Sequence, residues 1–284
     1  MQPMTIRLTK SFFAALTLLV THLAAATENT DVIEFGILPT LSSRTILTTY
    51  QPLRLYLEQH LKRPVQFTTA PDYRTYVART QRGEYRYVIT ASHFARLAQK
   101  DAGYQPLVRV KRELNAMLVT EKQTGITSVA GLRGKSVSTP DSLAITSMLA
   151  DELLRAHGLI PGRDVSMQAQ TSFNSALIGM RNGESAAAIT SITALMQMPA
   201  ETRADLLTLA TTKAVPHNVC LANSKVAPAE VAEMTRLLLN FGATAAGEAF
   251  FHDTGFIGFV RITEDELRAV DGYVPEIKRR LGTF

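Results

Sequence analysis

From residue 32 onward, short apolar runs alternate with longer stretches in which apolar residues recur every three or four positions. Strands alternating with amphipathic helices give this pattern, and it predicts an α/β fold. Val32-Ile33-Glu34-Phe35-Gly36-Ile37 reads as a first strand, stopped by Pro39 and followed by hydroxyl side chains. Tyr50, Leu53, Leu57 and Leu61 mark a helix over about 45–62, and a second strand runs over 64–69. Asp72 is placed as the N-cap of a helix over 73–82, with Gly83 as its left-handed C-cap. Further strands are read over 85–90, 104–110, 114–120, 136–138, 165–170, 186–190, 206–211 and 219–222. Helices are read over 92–100, 142–157, 176–182, 194–198 and 228–241. Thr263 and Glu266 form a capping box for a C-terminal helix that Gly272 and Pro275 interrupt.

One feature repeats along this pattern: a strand ends, a Ser/Thr turn follows, and a helix starts. In open α/β sheets, ligands bind beyond the carboxyl ends of strands, where helix N-termini offer free N–H groups to anions. The candidate anion-binding residues are therefore Thr40, Ser42 and Ser43, then Thr90 and Ser92, then Thr139 and Ser142. Ser172, Asn174, Thr190, Ser191 and Asn218 could complete the ring. Each hydroxyl taken alone is an ordinary helix cap; only their recurrence speaks for a ligand. Asp141 works against an anion at its own helix start unless it turns away.

Composition narrows the classes. Of 284 residues, 46% are hydrophobic, which excludes a disordered chain, and one cysteine excludes a disulfide-stapled miniprotein. Arg7 and Lys10 precede an apolar run over 11–20, and Ala24-Ala25-Ala26 leads into a polar stretch, the layout of a secretory signal peptide cut after Ala26. The run is too short for a bilayer span, which takes about 20 apolar residues. With no cysteine at the junction, the expected product is a soluble exported protein without a lipid anchor. Removal of residues 1–26 leaves 28 basic against 25 acidic side chains, a net charge of only +3. Without basic blocks, that balance argues against nucleic acid.

Nothing along the chain has the spacing of a metal site, a nucleophile elbow or a phosphate-binding P-loop, so neither an enzyme nor a cofactor is expected. His93 and His217 alone among the histidines follow strands at cleft positions, and each could donate to an anion. Arg44 is the best placed of the arginines for that purpose; Arg96 and Arg133 read as solvated. Cys220, in an apolar strand, reads as a buried inert thiol.

The runs Phe35-Gly36-Ile37-Leu38-Pro39, Ala70-Pro71-Asp72-Tyr73, Ser92-His93-Phe94-Ala95, Leu132-Arg133-Gly134-Lys135 and Asn182-Gly183-Glu184 occur in an order and spacing that resemble the PhnD-like family. Its members are periplasmic phosphate, phosphite or phosphonate binding proteins of ABC transporters, and the likeness extends over about residues 32–258. The resemblance implies a type II periplasmic binding protein, with two α/β lobes closing on a ligand. Lobe one would comprise residues 27–117 and 214–284 and lobe two residues 118–213, with crossovers near 116–120 and 212–221.

The resemblance also brings departures. The family's Ser-Thr-Ser-Gly run at the start of a lobe-two helix corresponds here to Ser142-Leu143-Ala144-Ile145, which keeps only the first hydroxyl. A tyrosine after the third strand is replaced by Thr90, a histidine by Ser172, and the acids that hold an aminoalkyl amine by Thr193 and Asn218. Aminophosphonates are thus poor candidates; phosphate, phosphite or another small polar anion remains, and so does a ligand unrelated to phosphorus. The implied partner is an ABC permease or, alternatively, a membrane histidine kinase or diguanylate cyclase that reads ligand-dependent closure. The protein itself would be a periplasmic monomer.

Overall fold

The computed structural model describes residues 32–282; the signal peptide expected over residues 1–26 lies outside them. In chain order the first half contains β1 (Ile33–Ile37), α1 (Ser43–Leu61), β2 (Val65–Thr69), α2 (Tyr73–Gln81), β3 (Tyr87–Thr90), α3 (Ser92–Ala102), β4 (Gln105–Val110) and β5 (Met117–Glu121). There follow β6 (Ser136–Thr139), α4 (Ile145–Ala156), β7 (Ser166–Ala169), α5 (Phe173–Arg181), β8 (Ala187–Thr190), α6 (Ile192–Met196), α7 (Ala200–Ala204) and β9 (Leu206–Thr211). The chain ends with β10 (Val219–Ala222), α8 (Pro228–Phe241), α9 (Ala245–Thr254), β11 (Phe259–Arg261), α10 (Glu264–Arg268) and α11 (Val274–Leu281).

The strands form two mixed sheets, β11-β4-β10-β3-β1-β2 and β7-β6-β8-β5-β9. In the first, β1 pairs in parallel with β2 and β3, while β10 runs antiparallel between β3 and β4. In the second, β6 is parallel to β7 and β8, and β5 is antiparallel to β8 and β9. Alternation along the strands fills both faces of the first sheet. Ile33, Phe35, Ile37, Tyr87, Ile89 and Cys220 enter one core; Val88, Val219 and Leu221 enter the other. Gly36 occupies the one position on β1 where a Cβ would meet the Tyr85 ring, at 2.5 Å. Cys220 is buried, and burial pushes its thiol well above the usual range, so it stays protonated.

The chain leaves the first sheet over 111–116 and returns over 212–218. There Leu114 and Val215 exchange backbone hydrogen bonds of 2.8 and 3.0 Å. The crossings expected at 116–120 and 212–221 are displaced: residues 117–121 already belong to the second sheet, and 219–222 to the first. Helices α7 and α9 and strand β11 appear in addition to the expected elements. α9 is rich in Ala, Gly and Phe without a narrow apolar stripe, and β11 is three residues long, too short to show a period.

Both large cores run from the first sheet into helices of the second half. Phe173, Leu177 and Met180 of α5 join the core of β1 and α1, while Ile145, Met148 and Leu149 of α4 join that of α2 and α3. Polar links tie the halves as well. His93 Nε2 lies 2.9 Å from the Leu143 carbonyl, and the Tyr273 hydroxyl lies 3.0 Å from the Glu152 carboxylate. Arg96 is buried rather than solvated, holding Asp271 and Glu264 at 2.6 Å each and thereby fastening the C-terminal segment to α3.

Candidate ligand-binding cleft

Between the two sheets lies a cavity with about 50 Å³ open to the centre of a water-sized sphere. The turn after β1 supplies Leu38, Thr40 and Leu41, and α1 supplies Ile46, Thr49 and Tyr50. Leu114, His217 and Asn218 come from the crossing segments, Thr254 and Phe256 from the end of α9. The second sheet contributes helix starts: Ala144, Ile145 and Thr146 at α4, Phe173 at α5 and Ser191 at α6. Most of the wall is apolar or aromatic, and none of these residues is charged.

The helix starts differ in how they are finished. Ser42 Oγ accepts the Thr45 N–H at 3.3 Å, Ser172 Oγ that of Ser175 at 3.2 Å, and Ser191 Oγ that of Ala194 at 3.3 Å. By contrast α3 and α4 have alanine N-caps, Ala91 and Ala144, and neither receives a side-chain cap. The first-turn N–H groups of these two helices are therefore left to backbone, water or ligand.

The start of α4 corrects the sequence reading. Asp141 Oδ1 accepts the Leu143 N–H at 2.8 Å, and the Ala144 N–H donates to the Asp141 carbonyl at 2.9 Å, so residues 141–144 form a turn. Ser147 Oγ fastens that turn by donating to the carbonyls of Pro140 and Asp141. The helix consequently begins at Ile145, and the hydroxyl-bearing residue of this start on the cavity wall is Thr146. Thr146 is buried, its Oγ1 has no hydrogen-bond partner within the described chain, and the sequence reading placed it inside a helix. Ser142 is exposed, with its carbonyl taken by Arg280. Burial raises the Asp141 carboxyl above its ordinary range, while its hydrogen bond keeps it on its own turn.

Of the other candidates, Thr40, Ser191, His217 and Asn218 line the cavity. Ser42 and Ser43 are exposed, and Asn174 is half-buried outside the wall. Arg44 is exposed as well. Ser92 is not an N-cap but the first residue of α3, buried with its hydroxyl unpartnered among the described residues. Thr90 is buried beside the Tyr76 phenol, and Thr139 and Thr190 are buried at strand ends outside the wall. Ser172 lies just behind Phe173, occupied with capping α5. His93 bridges the two halves instead of facing the cavity, and burial lowers its pKa to about 4.

At the crossing, the Asn218 N–H donates to His217 Nδ1 at 2.7 Å, and the His217 ring meets Phe256 edge-on at 4.9 Å. Burial, helped by the charges of Arg112 and Arg109, lowers the His217 pKa to about 3. The Asn218 side chain lies beside the Tyr50 phenol, which burial pushes up to about 12. Among the described residues, no group of three or more His, Cys, Asp or Glu side chains could hold a metal.

Two α/β sheets connected by two crossings, with an uncharged cleft between them, define the fold of a type II periplasmic binding protein. Residues 35–267 match the family of ABC transporter phosphonate periplasmic substrate-binding proteins, and the chain belongs to it. The family is one of transporter binding proteins, not of enzymes. PhnD1 from Prochlorococcus marinus (MIT 9301), in complex with methylphosphonate, has a similar structure, with a TM-score of 0.76 at 12% identity. The match covers 90% of this chain and 100% of that one. The binding protein component of an ABC phosphonate transporter from Pseudomonas aeruginosa gives a TM-score of 0.74 at 14% identity, over 88% of this chain and 98% of that one. The periplasmic aliphatic sulphonate binding protein SsuA from Escherichia coli gives 0.63 at 12%, over 88% and 92%.

Proposed function

We propose that this protein is exported to the periplasm, closes its two lobes on a small oxyanion carrying a short apolar group, and delivers it to an ABC permease. Methylphosphonate is the type of ligand meant. The observation that carries the reading is the meeting of two alanine-capped helices, α3 and α4, at one uncharged cavity. Their free N–H groups and dipoles favour an anion, and the Thr146 hydroxyl adds a donor. The apolar wall of Leu38, Leu41 and Phe256 suits a methyl group. A ligand amine finds no carboxylate there, because no Asp or Glu lines the cavity. The residues proposed to touch the ligand are Thr40, Thr146, Ser191, His217 and Asn218. Residues 27–117 with 214–284, and 118–213, remain the proposed division into lobes, adjusted to the sheets at the crossings.

The test is a thermal-shift and calorimetric panel on ligand-stripped protein with methylphosphonate, methanesulfonate, phosphite, phosphate and 2-aminoethylphosphonate. A ligand at 100 times its dissociation constant stabilises by about 2.7 kcal/mol, a shift of several degrees in a protein of this size. Methylphosphonate should give that shift and 2-aminoethylphosphonate should not. A preference for the amine-bearing ligand, or no shift with any oxyanion, would overturn the reading. Stimulation of a permease ATPase by the liganded protein checks delivery.

A further inference from the structure

We propose that His217 is a specificity-determining residue that admits a ligand only when an unprotonated oxygen faces the crossing segments. The proposal rests on the capture reading above and names the part of the ligand this side chain selects. In a neutral imidazole one nitrogen donates and the other accepts. Here the choice is made by the chain: the Asn218 N–H points at Nδ1 from 2.7 Å, so Nδ1 carries the lone pair and Nε2 the proton. The ring is 5% exposed, lines the cavity, and its Nε2 has no acceptor within the described chain. It cannot rotate to exchange the two nitrogens without stranding the Asn218 amide, and Phe256 packs edge-on against it. The backbone beneath is pinned too, since the Asn218 carbonyl accepts the Val110 N–H at 2.9 Å.

His217 thus differs from the hydroxyls around it. Thr146 can turn its O–H to donate or accept, and so serves an oxygen in either protonation state. The His217 N–H can only donate. A ligand oxygen bearing a proton toward it, or an amine, would set donor against donor in a dry site, and rejection of this kind is how buried polar groups create selectivity. The class selected is an oxyanion such as a phosphonate or sulfonate with an acceptor oxygen at that corner.

The experiment follows the imidazole directly in protein labelled with 15N-histidine, titrated with methylphosphonate and separately with methanesulfonate. On binding, the His217 Nε2 proton should move downfield and become slow to exchange while Nδ1 stays unprotonated. The signal is assigned by its loss in His217→Asn, which keeps an acceptor for the Asn218 amide while its own NH2 is too short to reach the position of Nε2. That variant should bind about 10- to 100-fold more weakly, and His217→Gln, which restores an N–H, should recover most of the loss. Bound ligand with an unmoved Nε2 proton, or wild-type affinity in His217→Asn, overturns the proposal and leaves the capture reading standing. If neither probe binds the wild-type protein, both fall together. The wild-type spectrum decides the matter even if the asparagine variant does not fold.

Discussion

Helices α4 and α5 both open onto the cleft, yet their first turns are completed in different ways. α5 begins at Ser172, whose hydroxyl is spent on the Ser175 N–H; α4 begins at Ala144, which has no polar side chain to spend. The same contrast recurs in the other half, where α1 starts from Ser42 and α3 from Ala91. An alanine N-cap forgoes about 1 kcal/mol relative to serine. A hydroxyl at a helix start therefore marks a helix completed by its own chain, and a missing one marks N–H groups kept open. The recurrent Ser/Thr turns of this sequence locate helix starts, and the proposed reading puts the anion at two starts on the cavity, those of α3 and α4, that lack them.

The comparison breaks most visibly if the open start is closed. Ala144→Asp supplies a favoured N-cap and places a carboxylate where the oxyanion would lie. Like charges about 4 Å apart repel by about 4 kcal/mol at the effective dielectric of a partly buried site. Methylphosphonate affinity should fall by about 100-fold or more, read by calorimetric titration of the folded variant. Wild-type affinity in this variant would remove the α4 start from the site.

What was legible in the sequence follows from the range of each cause. Strand and helix order could be read because alternation and amphipathic spacing are local. So could the Asp72 cap and the Thr263–Glu266 capping box, in which donor and acceptor lie three residues apart. The start of α4 was misread by three residues because Ser142 offers a cap in sequence, while the Asp141 turn displaces the helix to Ile145. Thr146 was consequently hidden inside an apparent helix. Tyr50 was visible only as one more apolar helix position, since its meeting with Asn218 spans more than half of the described chain. Arg96 read as solvated because its partners, Glu264 and Asp271, lie far along the chain.

A second, smaller effect concerns the histidine next to the other open start. His93, second in α3, and His217 are both buried and neutral, with pKa lowered to about 4 and about 3. In the unfolded chain each returns to about 6.5. Above that pH neither state takes up a proton. As pH falls below it, the unfolded chain binds protons that the folded one refuses, so stability declines by about 1.4 kcal/mol per pH unit for each histidine. Urea unfolding at pH 7, 6 and 5 should show this decline before most carboxylates titrate, and His93→Gln should remove about half of the slope. A flat profile over that window would mean that the two rings are not held neutral by burial.

The smallest effects sharpen the comparison by running in opposite directions. Ser172→Ala deletes a hydroxyl committed to its helix, so it should lower stability by about 1 kcal/mol and leave the methylphosphonate dissociation constant within about twofold, less than a weak hydrogen bond is worth. Thr146→Val deletes a buried hydroxyl with no partner among the described residues, replacing it with a methyl group of nearly the same shape. Removing an unsatisfied buried polar group does not destabilise, so the unfolding midpoint should hold or rise, while affinity drops by about 10-fold for the lost hydrogen bond to the ligand. Paired melts and titrations of the two variants separate capping from binding. If Ser172→Ala weakened binding and Thr146→Val did not, the open helix start would be a packing feature of α4 and the capped one would face the ligand.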